Sequence, residues 1–294
     1  MRVTQSMLAS NSLRNLSKSY ENLGKYQDQL ATGKKINRPS DDPVVAIKGM
    51  FYRTNLTEVE QYKRNLTDAY TWIENSEAGI EHTNEAVQRI RELLLQAKNG
   101  SNSSDDLKAI GVEISQLKED LVGVANTQVA GRYIFNGSQT KVAPITIKSD
   151  GSLDFSNMNS SKFEVEVSKG IQLKVNANPT NVFSEDFFKT IEDIGSSLSE
   201  GKLDNADQLL GDLDEHFETL TAERSELGAR YNRLELIDSR VNEQEVIANR
   251  ILSENEDADM ERIITDLTIQ ESIHRAALSA GAKIIQPTLM DFLR

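Results

Sequence analysis

Proline is absent from two long stretches of the chain, and this constrains the fold more than any other feature of the sequence. The five prolines lie at positions 39, 43, 144, 179 and 287, so residues 44–143 and 180–286 contain none. Because proline breaks the interior of a helix, both stretches can hold long helices.

The first stretch repeats apolar residues at alternating steps of three and four. The repeat begins at Val59 and ends at Ala97, with Ser76 and Thr83 as polar exceptions. After the polar segment 99–104, the same spacing returns and continues to residue 124. This pattern predicts two antiparallel helices that are joined by a loop and packed as a coiled coil.

The second stretch has a similar repeat between Leu213 and Leu252. Three charged residues interrupt it, Arg224, Asp238 and Glu245. Polar residues on such a seam set the register of the pairing or mark where a partner helix ends. We prefer that interpretation to a charge relay.

Between the helical stretches, residues 136–180 change from a period of seven to a period of two. Residues 145–147 lead into the turn pair 150–151, and segments 163–167 and 171–175 alternate apolar and polar side chains around a glycine turn. This pattern predicts a small antiparallel β domain with one buried face. Residues 183–205 predict a weaker helix, broken by Gly195 and Gly201, that packs this domain onto the helices.

Both ends of the chain carry further heptad seams. The first ends at Gly33, a typical residue after a helix, and residues 40–43 have the composition of a helix N-terminus. Asp257 and Asp259 precede the last predicted helix. A terminal helix alone buries too little apolar surface to be stable, so we expect the two ends to pair. The predicted seam residues are Leu13, Leu16, Tyr20, Leu23, Leu30, Met260, Ile264, Leu267, Leu278, Ile285 and Phe292.

The expected fold is therefore mainly α with a small β insert. The N-terminal and C-terminal segments form a long antiparallel coiled-coil rod, and the insert forms a central antiparallel β domain. The predicted segments are an N-terminal assembly helix (1–42), the first half of the rod (43–135), the inserted β-rich outer domain (136–204), the second half of the rod (205–256) and a C-terminal assembly helix (257–294).

Composition argues against several classes of function. The net charge of −13 disfavours general binding to nucleic acid. The absence of cysteine excludes thiol catalysis and disulfides. His82, His216 and His274 lie on separate predicted helices without a nucleophile motif, and the acidic residues 254–261 lack calcium-loop spacing. We therefore expect no catalytic residues, no metal, no cofactor, no membrane insertion and no cleaved signal peptide.

Motifs at both ends resemble the bacterial flagellin family. Segment 11–16 together with segment 30–37 and Ser40, Asp41 and Asp42 resembles the N-terminal signature of that family, and segment 255–259 followed by a long terminal helix resembles its C-terminal signature. The family-motif residues are Asn37, Pro39, Ser40, Asp41, Asp42, Asp257 and Asp259.

Two further segments, 38–43 and 131–137, resemble the family members that join hook and filament more than they resemble filament flagellins. The resemblance implies an extracellular structural subunit, not an enzyme, that leaves the cell through the flagellar type III pathway. Its implied partners are further copies of itself, an adjacent hook-associated junction protein, flagellin, and a cytoplasmic export chaperone on the C-terminal helix.

Two alternatives stay open at this point. The chain could be a filament flagellin, which has the same class and a different position in the assembly. More remotely, it could be a coiled-coil signalling module that transmits a shift between a ligand domain and an effector. An enzymatic role would have to lie in the β insert.

Overall fold

The computed structural model describes residues 5–98, 103–148, 151–201 and 203–285. Seven helices account for most of them. Their bounds are α1 (Gln5–Thr32), α2 (Pro43–Lys98), α3 (Ser104–Ala125), α4 (Pro179–Val182), α5 (Glu185–Glu200), α6 (Ala206–Glu256) and α7 (Met260–Ile285).

Six short strands form three antiparallel hairpins in the described residues. β1 (Gln128–Val129) pairs with β2 (Arg132–Tyr133), β3 (Thr146–Ile147) with β4 (Leu153–Asp154), and β5 (Glu164–Ser168) with β6 (Ile171–Lys174). The mainly α fold with a small antiparallel β insert is therefore confirmed. The β1–β2 hairpin was not expected, because two-residue strands are too short to show a period of two.

Two compact units divide the chain. The terminal unit contains the described residues up to Glu58 and from Gln244 onward, and the middle unit is Val59–Glu243. Helices α2 and α6 contribute to both. The division into five segments made from the sequence stays a prediction.

The core of the middle unit follows the predicted heptads. Ten of the twelve seam side chains of α2 are apolar, and all of these except the half-buried Tyr62 are buried. Ser76 and Thr83 are fully buried because each hydroxyl donates to the backbone carbonyl four residues earlier, at 2.8 Å. On α6, Arg224 lies half-buried and pairs with Glu81 and, at 3.7 Å, with Glu77 of α2.

The β insert and α5 pack on the long helices through aromatic residues. The ring centroids of Phe163 and Trp72 of α2 lie 4.8 Å apart. The side-chain amide of Asn65 donates to the backbone carbonyl of Glu166 at 2.7 Å. Phe187 and Phe188 of α5 are fully buried. Helix α5 runs through Gly195 without a break, contrary to expectation. Next to Gly195, a Cβ on Gly111 of α3 would lie 3.7 Å from the Gly195 carbonyl oxygen, which is an ordinary van der Waals contact.

Candidate assembly surface

Helices α1 and α7 pack against each other as an antiparallel pair within the terminal unit. Ser19 and Ile263 are each 7% exposed, and the Gln270 amide donates to the Ser19 hydroxyl at 3.0 Å. Near the other end, a Cβ on Gly281 would lie 3.3 Å from the Ser12 hydroxyl. Small residues on both helices thus bring the two backbones close together.

The structure places the predicted seam residues in two groups. Leu16, Leu23, Leu30 and Leu267 are half-buried. The second group is exposed by 41–69% and comprises Leu13, Tyr20, Met260, Ile264 and Leu278. The side chain of Ile285 and the whole of Phe292 lie outside the described residues.

Except for Met260, the exposed group results from a shift of one position relative to the predicted heptads. Ser12 and Ser19 occupy the seam, and Leu13 and Tyr20 follow them by one residue. Because successive residues turn by about 100° around a helix, Leu13 and Tyr20 lie to one side of the seam. Because leucine and tyrosine are large and apolar, the sequence predicts Leu13 and Tyr20 on the seam, but the structure exposes both side chains. The seam prefers the smaller serine because it allows closer packing.

The same shift occurs on α7, where Ile264 follows the buried Ile263 and Leu278 follows the half-buried Ala277. In an antiparallel pair, equal rotations from the seam point to the same side of both helices. The ring centroids of Tyr20 and His274 lie 6.0 Å apart across the pair. We name this side the apolar flank, and it consists of Leu13, Tyr20, Met260, Ile264 and Leu278.

The base of the helix pair is closed by a backbone bridge. The Lys35 amide donates to the Glu256 carbonyl at 2.7 Å, and the Ala258 amide donates to the Gly33 carbonyl at 2.9 Å. The Lys34 ammonium donates to the Asp257 carboxylate at 2.7 Å. Hydrogen bonds from Lys34 and then from Ser253 lower the pKa of Asp257 below its ordinary value. The segments before α2 and after α6 are therefore tied to each other.

Glu256 is the buried charge of this base, with 5% of its surface exposed. Its carboxylate accepts a hydrogen bond from the Arg53 guanidinium at 2.7 Å and lies 3.7 Å from the Lys34 ammonium. The hydrogen bond from Arg53 raises the pKa of that guanidinium. Gly49 of α2 makes room for Glu256, since a Cβ there would lie 2.5 Å from Oε1.

The family-motif residues shape the turns on either side of this base. Asp42 caps α2 by accepting from the Val44 and Val45 amides at 3.0 and 3.1 Å, and Asp259 accepts from the Arg262 amide at 3.1 Å. Asp42 and Asp259 therefore cap the first turns of α2 and α7.

Within the turn that precedes α2, Asp41 accepts from the Arg38 amide at 3.0 Å, and the Asn37 side chain accepts from the Thr32 hydroxyl at 2.8 Å. Pro39 and Ser40 are exposed.

A second set of exposed apolar residues was missed from the sequence. Val44, Ile47, Met50 and Phe51 of α2 are 61–69% exposed, and Val246 and Ile247 of α6 are 68% and 47% exposed. The spacing of Val44, Ile47 and Phe51 is a helical signal that could have revealed them. These three residues lie between the predicted seam that ends at Leu30 and the repeat that begins at Val59, so neither predicted repeat includes them.

His82 and His216 have different surroundings. His82 is exposed and lies 3.5 Å from Glu85, and His216 packs against the Phe187 ring at 5.3 Å. Burial lowers the pKa of His216.

Across the described ranges, no cluster of three His, Cys, Asp or Glu side chains could hold a metal ion. None of the described helices is both long and apolar enough to cross a membrane.

Comparisons with known proteins agree with the arrangement of the ends. Residues 3–140 match the bacterial flagellin N-terminal helical region, and residues 210–293 match the bacterial flagellin C-terminal helical region. The two matches together cover well over half of the chain.

Individual relatives come from two branches. Flagellar hook-associated protein 3 of Escherichia coli (strain K12) is 24% identical to this chain over an alignment of 304 residues. The match covers 95% of this chain and 96% of the relative. A flagellin of Bacillus subtilis (strain 168) is 26% identical over an alignment of 312 residues. This match covers 100% of both chains.

The solved structure of a flagellar hook-associated protein from Vibrio parahaemolyticus superposes with a TM-score of 0.68 at 22% identity. It covers 74% of this chain and 100% of that one, and it shows that the fold is shared. With both terminal regions matched in order and helices α1 and α7 paired as the ends of one unit, the chain belongs to the bacterial flagellin family.

Proposed function

We propose that the chain is a structural subunit that joins the flagellar hook to the filament and offers a surface on which flagellin polymerises. The observation that carries this proposal is the apolar flank, a row of large apolar side chains on the terminal helix pair that the pair itself leaves uncovered. A nearly full-length match to a hook-associated protein 3 supports the junction position.

The apolar flank is the proposed assembly interface. A contiguous row of leucine, isoleucine and tyrosine left exposed on a helix pair marks an interaction surface. Leu16, Leu23, Leu30 and Leu267 contribute by holding α1 against α7, and the capped turns fix the direction in which the pair leaves α2 and α6. Ile285 and Phe292 would extend the interface beyond the described side chains.

A variant with Leu13→Gln and Tyr20→Gln tests this interface. Both side chains are exposed, so the helix pair should form normally while incorporation into the flagellum fails. Lys18→Gln on the same helix is the matched control and should be incorporated. Normal motility of the double variant would exclude the apolar flank as the interface.

The partners follow from the same surface. Further copies of the chain, an adjacent hook-associated protein and flagellin would contact the apolar flank in the flagellum. Before assembly, an export chaperone would shield α7, which exposes Ile269 and Ile273 in addition to its part of the apolar flank.

The chain would act outside the cell after type III export, without cleavage and without enzymatic activity. Recovery of a shortened chain from flagella would contradict uncleaved export.

A filament flagellin is the second candidate, because the Bacillus subtilis flagellin matches the chain over its whole length. Deletion of the gene in its motile host separates the two. Intact hooks without filaments, with flagellin in the medium, support the junction role. Loss of filaments without released flagellin supports the filament role. Normal filaments would contradict both.

A further inference from the structure

The helix pair of the terminal unit has a second surface on the side opposite to the apolar flank. Lys25 lies six residues after Ser19 on α1, and Arg262 directly precedes Ile263 on α7. At about 100° per residue, both side chains are rotated from the seam by about 100–120° in the sense opposite to the apolar flank. They line a groove of about 620 Å³ between the two helices. We name this cavity the lateral groove and define it by Asn22, Lys25, Tyr26, Gln29, Arg262 and Ile263.

Lys25 is an unpaired cation of the lateral groove. The Arg262 guanidinium lies 4.0 Å from the Asp266 carboxylate. The Lys25 side chain is exposed, and no acidic side chain of the described residues pairs with it. Tyr26 and Ile263 line the same groove, the first half-buried and the second buried. The lateral groove is therefore suited to a carboxylate that is flanked by apolar side chains.

The part of the apolar flank on α7 contains a carboxylate of this kind. Glu271 lies seven residues after Ile264 and seven before Leu278, so the three side chains form a row along the helix. Arg275 lies 3.5 Å from Glu271, but its side chain is 80% exposed, and an exposed pair of this kind contributes little. A molecule that covers the row removes Glu271 from water, and a cation on that molecule compensates for the lost hydration.

The row and the lateral groove match in length and in charge. The distance from Ile264 to Glu271 and the distance from Asn22 to Gln29 each correspond to seven residues, or about 10 Å. The row offers an anion between two apolar side chains, and the groove offers the Lys25 ammonium beside apolar atoms. Both surfaces belong to the same helix pair but lie on opposite sides of it. One copy cannot join them to each other, whereas two copies can.

We infer that the lateral groove of one copy binds the row of Ile264, Glu271 and Leu278 of a second copy, with Lys25 paired to Glu271. Because the contact joins two different surfaces, each bound copy leaves a groove or a row free for a further copy. Repetition builds a ring or a helical layer of terminal helix pairs. The inference rests on the proposed function, since it takes the apolar flank as an assembly interface and adds which surface covers it.

Charge reversal tests the contact in a motile host that lacks its own copy of the gene. Lys25→Glu and Glu271→Lys should each lower incorporation into isolated flagella by about tenfold or more, because each places two like charges opposite each other. Both reversals in one chain restore the ion pair between copies, so incorporation should return to within about threefold of the native level. Lys18→Glu, the same reversal two turns earlier on α1, is the matched control and should neither block incorporation nor rescue Glu271→Lys.

Cysteine cross-linking measures the same contact directly, because the chain has no cysteine of its own. Lys25→Cys and Glu271→Cys are expressed together in separate copies, and isolated flagella are oxidised. We expect a disulfide-linked dimer of about twice 32.8 kDa, and none when either variant is expressed alone. Dimers from Glu271→Cys alone would mean that two apolar flanks face each other, which overturns the inference.

Normal incorporation of both single reversals, or failure of the double reversal to restore it, would also overturn the inference. So would a rescue of Glu271→Lys by Lys18→Glu in place of Lys25→Glu. The variant with Leu13→Gln and Tyr20→Gln tests the proposed interface separately. If that variant is excluded from flagella while the double reversal is not rescued, the apolar flank remains the interface and only the lateral groove is wrong.

Discussion

Two glycines in helices of the terminal unit have opposite surroundings. A Cβ on Gly24 of α1 would meet nothing within 4 Å, whereas a Cβ on Gly49 of α2 would lie 2.5 Å from Glu256 Oε1. Gly24→Ala should stabilise the terminal unit by about 0.5–1 kcal/mol, because alanine loses less conformational entropy in a helix. Gly49→Ala should be at least about 1 kcal/mol less stable than Gly24→Ala, because the new methyl group displaces a carboxylate that Arg53 holds.

Urea unfolding followed by far-ultraviolet circular dichroism measures both changes. The single tryptophan, Trp72, is buried in the middle unit, so its fluorescence reports the unfolding of that unit separately. Neither substitution should move the fluorescence transition. Equal stabilisation by both alanines would show that Glu256 does not need the space beside Gly49.

His216 gives the middle unit a pH dependence. Burial lowers its pKa below that of the unfolded chain, although Glu215, Asp186 and Asp212 oppose the shift. The folded state thus favours neutral imidazole. Its contribution to stability is complete above the unfolded pKa of about 6.5 and declines as the pH falls from there toward the folded pKa.

The free energy of unfolding of the native chain, relative to His216→Gln, should therefore decrease between about pH 7.5 and about pH 5.5. Trp72 fluorescence in urea at each pH provides the measurement. His82→Gln, which removes an exposed histidine, is the matched control. A constant difference between the native chain and His216→Gln would rule out the proposed cause.

Helices α1 and α7 depend on each other. Most of the stability of a helix in a protein comes from the packing of its apolar face, and α1 and α7 pack against each other. A chain truncated before Met260 should therefore lose the helical signal of α1 as well as that of α7, 28 residues in addition to 26. Circular dichroism measures the loss, and the Trp72 transition should stay unchanged. Loss of only 26 residues of helix would mean that α1 is stable alone.

The long helices could be predicted from the sequence because their seams are dense and uninterrupted by proline. Ile73, Ile80 and Leu94 lie where the heptads place them, fully buried. Ser76 and Thr83 fit because their hydroxyls bond within the helix. The polar exceptions therefore did not obscure the pattern.

The terminal pair was harder to predict because its apolar residues cover more of each helix than one partner can bury. Leu13 and Tyr20 were indistinguishable from seam residues by type, and the choice of Ser12 and Ser19 depends on backbone distance. Sequence spacing does not report that distance. The buried charge of Glu256 was likewise hidden within an acidic segment, since only its contacts with Arg53 and Lys34 distinguish it from Glu254.

Across the whole molecule, the net charge of −13 is confined to the middle unit, which contains 19 Lys and Arg against 32 Asp and Glu, whereas segments 1–58 and 244–294 contain 14 against 14. Mutual repulsion among its acidic side chains opposes folding, and salt screens that repulsion. The urea midpoint followed by Trp72 should rise between about 0.05 M and about 0.5 M NaCl, while the transition of the neutral terminal unit should shift less. Equal shifts in both transitions would point to a general salt effect unrelated to charge.

The bridge between Lys34 and Asp257 also has a consequence for the order of folding. The two residues are 223 positions apart in the chain, so the contact must close a very large loop. The entropy lost in closing such a loop is much smaller once the intervening residues are already folded. During synthesis the middle unit can fold as soon as α6 is complete, whereas α1 has no partner until the last helix has been made. The first helix to be synthesised is thus among the last to find its place.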